Sequence, residues 1–316
     1  MTTTLRPAEP LQQNPDGTRS RRYQVCVNSR PVGRIHIGTH PVFGDAVARI
    51  TNLWIEEPDR RRGRGTVAAL AAEEIARGWG CRRIEVTIPA EAEAEAEAEA
   101  EAEAEAEAEA EAEAEAEAEA GGAETRAAGA GAPAGPALRL ATALGYVVRN
   151  YAMEKALGDV PPALPEGSRG RPMTDAEFGP WSVRSEAEYA RSWIERGVPE
   201  TEARTKAARE QGDLLPDGRD SEDMLLSVLE HEGIPVGTLW LAVREDHGYV
   251  FDVEADAAHR GRGHGRSLML LAEAQSIAAG KSAIGLNVFA DNTPAERLYA
   301  SLGYGTTRYT MYKHLL

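Results

Sequence analysis

The chain has 316 residues, 42% of them hydrophobic; this is more than one hydrophobic core usually serves, with the composition of a soluble globular protein. Its formal charge of −16 is misleading, because residues 91–120 are fifteen uninterrupted Glu-Ala pairs and the remainder sets 35 basic against 36 acidic residues; nothing here argues for a nucleic-acid partner. No apolar run approaches the roughly 18 residues of a membrane helix, and Cys26 and Cys81 stand alone without Cys/His spacing, so neither a membrane partner nor a metal is expected.

The opening residues, MTTTLRPAEPLQQ, contain no apolar segment resembling a signal peptide, and a cytoplasmic location is expected. Strand composition begins near Tyr23 and leads to a loop, Arg60-x-x-Gly63-x-Gly65, that opens a helix. Residues 60–90 recur at 260–290 with ten of 31 positions identical, the mark of an internal duplication. After Ala90 the register jumps from an offset of 200 to one of 158, on which Leu144-Gly145-Tyr146 and Tyr151-x-Met153-x-Lys155 match Leu302-Gly303-Tyr304 and Tyr309-x-Met311-x-Lys313. The first copy therefore carries an insertion, about 91–132, between its halves.

The Glu-Ala pairs inside that insertion alternate with period two, yet both residues are depleted in strands. On a helix, residues two apart turn by about 200° and leave no apolar face, so a solvated, fluctuating helix is expected, followed by a flexible Gly/Ala/Pro stretch. Residues 158–172, rich in Pro and Gly, read as a linker resisting both helix and strand. The expected organisation is a first domain over 1–157, the linker, and a second domain over 173–316.

In the second copy, SEAEYARSWIERGVPETEARTKAARE has a charged helical pattern that brings Tyr189, Trp193 and Ile194 together. These side chains either line a pocket for a cationic amine or form the buried face of an amphipathic helix. GIPVGTLWLAV and GYVFDVEA flank the turn-like REDHG as a hairpin. HRGRGHG then opens a helix ending before Gly280, AIGLNVFA is a buried strand, a short helix runs from Pro294 to Ser301, and Tyr309–Leu315 alternates as the last strand. The glycine–arginine loop is the chemical feature. Glycines let backbone N–H groups turn toward one point, and a helix N-terminus behind them adds about half a positive charge, which suits a pyrophosphate.

GYVFDVEADAAHRGRGHGRSLMLLAE followed by IGLNVFADNTPAERLYASLGY resembles the two signature segments of the GNAT acetyltransferases. The resemblance implies an α/β (α+β) fold of two GNAT-like domains, each a mixed, mainly antiparallel and splayed sheet flanked by helices. It implies acetyl-CoA as co-substrate and transfer of acetyl to the amine of a small molecule or peptide. The coenzyme would be held by Val253, Ala255, Arg260, Gly261, Arg262, Gly263, His264, Gly265, Arg266 and Asn292, with Tyr299 near the thioester sulfur as general acid. Because an ammonium must lose a proton before attack, a base is needed. Glu254 is the first candidate and Asp252 the second, two residues apart on the strand before the loop.

The first copy keeps Arg60-x-x-Gly63-x-Gly65 but has Asn52, Trp54, Ala134 and Ala141 where the second has Asp252, Glu254, Asn292 and Tyr299. It also has only a short stretch before Tyr23 where the second copy has the segment 173–225. A degenerate first domain and chemistry in the second are expected. Two other readings stand beside this one: a non-catalytic acetyl-CoA sensor or scaffold, and a dinucleotide site at Gly63-x-Gly65-x-x-Ala68 with Glu85. The second is opposed by Leu268, which breaks the pattern in the other copy, and by the hairpin before the loop.

Overall fold

A computed structural model describes residues 2–14, 17–40, 44–90 and 135–315; the Glu-Ala tract lies outside them. The chain divides into two compact units. One comprises Met1–Ala152, Phe289–Asp291 and Gly305–Leu316, the other Met153–Val288 and Asn292–Tyr304.

In chain order the first copy contributes β1 (Thr3–Pro7), β2 (Gln12–Gln13), β3 (Arg19–Val27), β4 (Arg30–His40), β5 (Gly44–Ile55), α1 (Arg64–Gly78), β6 (Arg83–Pro89), α2 (Pro136–Ala143) and β7 (Val147–Ala156). Strands β1, β3, β4 and β5 pair antiparallel in that order. β5 and β6 run parallel, but only from Val47↔Arg83 to Ile50↔Val86. Among the described residues no helix lies between β1 and β3, in keeping with the short spacing there.

The second copy contributes β8 (Ser168–Pro172), α3 (Asp175–Glu195), α4 (Glu200–Leu214), β9 (Met224–His231), β10 (Ile234–Val243), β11 (Gly248–Ala255), α5 (His264–Ala278), β12 (Ala283–Phe289), α6 (Thr293–Ser301) and β13 (Gly305–His314). The expected hairpin is β10 and β11, antiparallel from Gly237↔Ala255 to Val243↔Gly248. Gly280 ends α5 with φ +76°, the left-handed cap that glycine tolerates.

One segment departs from its reading. Residues 168–172, expected as irregular linker, form β8 and pair antiparallel with β9. Two local features override the Pro/Gly composition. Arg169 and Arg171 both reach Glu230 at 2.6 Å, and Gly170 packs so tightly on α5 that a Cβ there would lie 2.4 Å from Leu271 Cδ1. Composition reports what a segment resists in isolation, whereas an edge strand is decided by its neighbours.

The last strand of the second copy lies in the first unit, and the end of the first copy's last strand lies in the second. β13, the final strand of the second copy, pairs antiparallel with β6 in the first unit, from Arg308↔Pro89 to His314↔Arg83. Its Met311 and Leu315 enter the first unit's core beside Ile35, Ala72 and Ile84. Conversely, Met153–Ala156 of β7 belong to the second unit, where Leu157 N donates to Ser282 O at 2.7 Å.

Each exchanged strand brings one lysine to one buried glutamate. Lys313 Nζ donates to both oxygens of Glu73, at 2.9 and 2.8 Å, and Lys155 Nζ lies 2.8 Å from Glu273 Oε2. Glu73 and Glu273 are almost wholly buried. A carboxylate at that depth requires a partner, and in both copies the partner arrives with the exchanged strand. Tyr146 and Tyr304 complete the two constellations, their phenol pKa values pushed up by burial and then by Glu73 and Glu273 respectively.

Candidate active site

The site is built in the second unit where β11 leaves β12. The two strands run parallel only from Gly248↔Ile284 to Val250↔Leu286, so Phe251–Ala255 diverge from β12 and open a cleft. The departure begins at an irregularity in the β10–β11 register: Trp240 faces Asp252, whereas Leu241 faces Val250. The extra residue, Phe251, makes a β-bulge that bends the strand and re-aims the side chains following it. The first unit repeats this device, with His36 facing Asn52, Ile37 facing Ile50 and Thr51 extra. The bulges thus confirm in three dimensions that Asn52 occupies the place of Asp252.

Beyond the bulge, Asp252 and Glu254 are both partly buried. Asp252 is pushed up to about 6, chiefly by burial and then by the charges of Glu254 and Glu188, while Arg184 and the Val253 amide pull it down. Glu254 Oε2 lies 3.5 Å from Arg184 Nε. Arg184 and Glu188 both come from α3 and were not singled out in the sequence. Tyr299 of α6 is buried, and its phenol is pushed up to about 12 by burial and by the carboxylate of Asp252. Asp252, Glu254 and Tyr299 are therefore brought into one electrostatic neighbourhood.

The loop between β11 and α5 is assembled by local rules. Asp256 Oδ1 accepts from Ala258 N at 2.8 Å and caps a single turn of 3-10 helix, Ala257–His259. Arg260 Nε donates back to Ala255 O at 3.3 Å. Gly261 and Gly263 follow with φ of +77° and +87°, conformations that cost any residue with a Cβ, and Gly263 caps α5. The turn leaves the first amides of α5 unbonded within the helix and aligned with its dipole, an anion cradle formed by main chain alone.

The other expected coenzyme contacts are placed variously. Val253 and Ala255 stand on the diverging half of β11, and Gly265 is the second residue of α5. Arg262 is exposed on the loop. Arg266 Nη2 donates to Ser301 Oγ at 2.7 Å, tying α5 to α6. Asn292 caps α6 by accepting from Ala295 N at 3.4 Å. The His264 side chain is buried on the side of β9 and β10, so that its backbone amide is the part available to the cradle.

The aromatic residues of α3 bind the helices to one another and to the sheet. Trp193 is buried, Tyr189 Oη donates to Glu210 Oε2 at 2.8 Å, and Lys206 lies 4.9 Å from the Trp193 ring centroid; this joins α3 to α4. Trp181 packs edge-on against Trp240 at 5.6 Å, in a core with Met173, Leu215, Leu226 and Val228. Of the two readings of Tyr189 and Trp193, the packing one describes them. Among the described residues, no group of three or more His, Cys, Asp or Glu is arranged to hold a metal.

In the first unit the corresponding features are neutral or occupied by packing. Arg60 lies 4.3 Å over the Trp54 ring and donates to Ile55 O at 2.7 Å, repeating the Arg260–Ala255 contact. Ala141, at the place of Tyr299, is buried.

Comparison with known proteins agrees with this duplication. The model of the Acetyltransferase (GNAT) family matches residues 3–99 and again 187–304. The uncharacterized N-acetyltransferase YdgE of Bacillus subtilis is 28% identical over 149 residues, which are 45% of this chain and 95% of that protein. YycN of the same organism, also an uncharacterized N-acetyltransferase, is 27% identical over 151 residues, 46% of this chain and 96% of its own. A crystal structure of a GCN5-related N-acetyltransferase from Sphaerobacter thermophilus aligns over 93% of this chain and 80% of that one, with a TM-score of 0.53 at 19% identity, a likeness of fold.

Proposed function

Since the chain belongs to the Acetyltransferase (GNAT) family, we propose that it is an acetyl-CoA-dependent N-acetyltransferase whose chemistry lies in the second copy and whose acceptor is a primary amine. The observation that carries the reading is that Asp252 and Tyr299 feel each other's charge on and beside a strand that ceases to pair with β12 just before a backbone anion cradle. The cleft and the cradle fit a pantetheine arm ending in a pyrophosphate: Val253 and Ala255 offer strand edges, and the amides around Gly263 and Gly265 offer donors. When bound, acetyl-CoA supplies the thioester carbonyl as electrophile.

The chain's own residues supply proton handling. An acceptor amine is mostly protonated at neutral pH, and Asp252 takes a proton from it. A carboxylate pushed up to about 6 is still ionised at pH 7 yet more basic than an ordinary one. Glu254, the first candidate from the sequence, is engaged by Arg184 at 3.5 Å, a contact that spends its charge on another partner. We therefore assign the base to Asp252, with Glu254 and Arg184 positioning the acceptor. Tyr299, pushed up to about 12, keeps its proton throughout the physiological range and donates a hydrogen bond to the negative charge developing on the departing sulfur. A backbone N–H near Val253 or Ala255 would polarise the acetyl oxygen.

Incubating the full chain with acetyl-CoA and a mixed panel of small amines and peptides, with products read by mass spectrometry, tests the proposal. An acetylated amine is expected. Tight coenzyme binding with no acetylated product from any amine would instead establish a sensor or scaffold.

A further inference from the structure

The face of β11 that carries Asp252 runs on toward the β10–β11 turn as a shelf of aromatic rings. Asp252 faces Trp240 and Tyr249 faces Ala242, and Trp240 and Ala242 are alternate residues of β10. Asp252 and Tyr249 therefore project from one face of the sheet, two strand rises or about 7 Å apart. Phe251, the extra residue of the bulge, comes between them in the chain, its ring 4.9 Å from that of Trp240 and 5.0 Å from that of Tyr249. Trp240 also meets Trp181 of α3 at 5.6 Å, so this is the face that α3 covers.

Arg244, exposed in the turn, lies at the end of the shelf away from Asp252. Its guanidinium carbon is 4.4 Å from the Tyr249 ring centroid and 5.5 Å from that of Phe251. Tyr249 is itself held, because Asn287 Nδ2 donates to its Oη at 2.6 Å. A guanidinium that rests by its face on aromatic rings keeps the N–H donors of its edge, a fork that matches a carboxylate. Among the described residues no carboxylate takes that fork. Asp246 pairs with His247 at 2.6 Å, and Glu210, whose charge reaches Tyr249, is bonded by Tyr189 and Lys206. Arg171 and Arg184, by contrast, each meet a glutamate.

The charge at the Asp252 end is of the opposite sign. Glu254 and Glu188 both act on Asp252 against the single Arg184, and Glu188 makes no ion pair among the described residues. The face thus has an acidic pole suited to an ammonium and an arginine pole suited to an anion. In the first copy Gly44, Arg49, Thr51 and Asn52 stand at the places of Arg244, Tyr249, Phe251 and Asp252, so the arginine and its shelf are missing where the base is missing.

We propose that Arg244 anchors the carboxylate of the acceptor, which is therefore an amino acid whose reacting amine stands about 7 Å from its carboxylate. An ω-amino acid, or the side-chain amine of a basic amino acid, has that spacing, with its alkyl chain along Phe251; the α-amine of a free amino acid lies too close to its own carboxylate. The inference deepens the acetyl-transfer reading and rests on it for the place of the amine at Asp252.

The test compares 6-aminohexanoate with its neutral isostere 6-aminohexanamide, first as ligands of the full chain by calorimetry in the presence of coenzyme A, then as acceptors with acetyl-CoA. The acid is expected to bind about tenfold or more tightly than the amide, and 3-aminopropanoate is expected to show no such advantage over its own amide. Arg244→Gln, confirmed folded by circular dichroism, is expected to bring acid and amide to about the same affinity, and Arg244→Lys, which keeps the charge without the fork, to retain part of the preference. No binding of the acid, equal binding of acid and amide, or a preference that survives Arg244→Gln would overturn the anchor. Turnover separates this from the reading beneath it. Acetylation of both compounds with equal kcat/KM would remove the anchor alone, whereas selective binding of the acid with no acetylated product would remove the chemistry and leave the anchor.

Discussion

Asp252 illustrates how one residue can be made both reactive and costly. Its carboxyl titrates at about 6 in the folded chain against an ordinary value of 3.8, so the folded state holds more protons than the unfolded one between these values. Stability linked to this group is therefore present below about pH 4 and is lost as pH rises through about 6. Asp252→Asn removes that penalty and is expected to raise stability at pH 7 by on the order of 2 kcal/mol. The same substitution should lower kcat/KM by roughly 10²-fold or more and abolish an acidic limb near pH 6. Denaturant unfolding at pH 5 and 7 together with a pH–rate profile checks both effects. A variant that is neither more stable nor slower would remove Asp252 from the mechanism. Tyr299 and Asp252 could be named from the sequence because each sits in one of the two signature segments, Asp252 as second choice after Glu254. Arg184 and Glu188 could not, since a charged helical surface carries no sign of which residues on it meet a distant strand.

At the scale of elements, what is local was legible and what is pairwise was not. The hairpin β10–β11, the extent of α5 and the short α6 follow from periodicity, glycine and Pro294, all of which act within a few residues. The bulges in β5 and β11 had no sequence signal, because a bulge is a property of two strands. The exchange of β7 and β13 was equally silent: alternation announces a strand, and either unit's sheet edge satisfies it. Once known, the exchange explains why Lys155 and Lys313 recur in the repeat. Lys313→Ala would leave buried Glu73 with only Arg77, at 3.7 Å, and Tyr146 as partners, and a loss of about 1.5 kcal/mol or more is expected from denaturant unfolding; a loss below about 0.5 kcal/mol would show that the pair contributes little. Gly263 makes the element-scale argument for the loop. A Cβ there meets nothing within 4 Å, but φ is +87°, so Gly263→Val acts through backbone strain in the cradle. Coenzyme affinity measured by calorimetry, with the first copy's loop disabled by Arg60→Ala and Gly63→Val, should fall about five- to thirtyfold, the equivalent of the roughly 1–2 kcal/mol of that strain; unchanged affinity would contradict the cradle.

For the whole molecule, the duplication has produced two copies that share a framework and differ in the residues at corresponding positions. The first retains the bulge, the glycine loop and the buried Glu73–Lys313 pair; it has Asn52, Trp54 and Ala141 at the places of Asp252, Glu254 and Tyr299, and among its described residues nothing matches the helices α3 and α4. Its role in this account is structural, since its core includes Met311 and Leu315 from the end of the second copy. The Glu-Ala insertion falls in sequence between β6 and α2, outside the described residues, and its alternation predicts no apolar face on a helix. Removing Glu91–Ala120 is expected to leave both turnover and melting temperature nearly unchanged, which thermal unfolding and a thioester-cleavage assay would establish. The central claim, that the second copy alone performs the reaction, is tested most directly by comparing single-turnover acetyl transfer in Tyr299→Phe with that in the Arg60→Ala, Gly63→Val protein, both confirmed folded. The account predicts a fall of roughly 10²-fold in the first and a change within a few fold in the second. A harmless Tyr299→Phe, or loss of turnover in the folded first-copy variant, would contradict it.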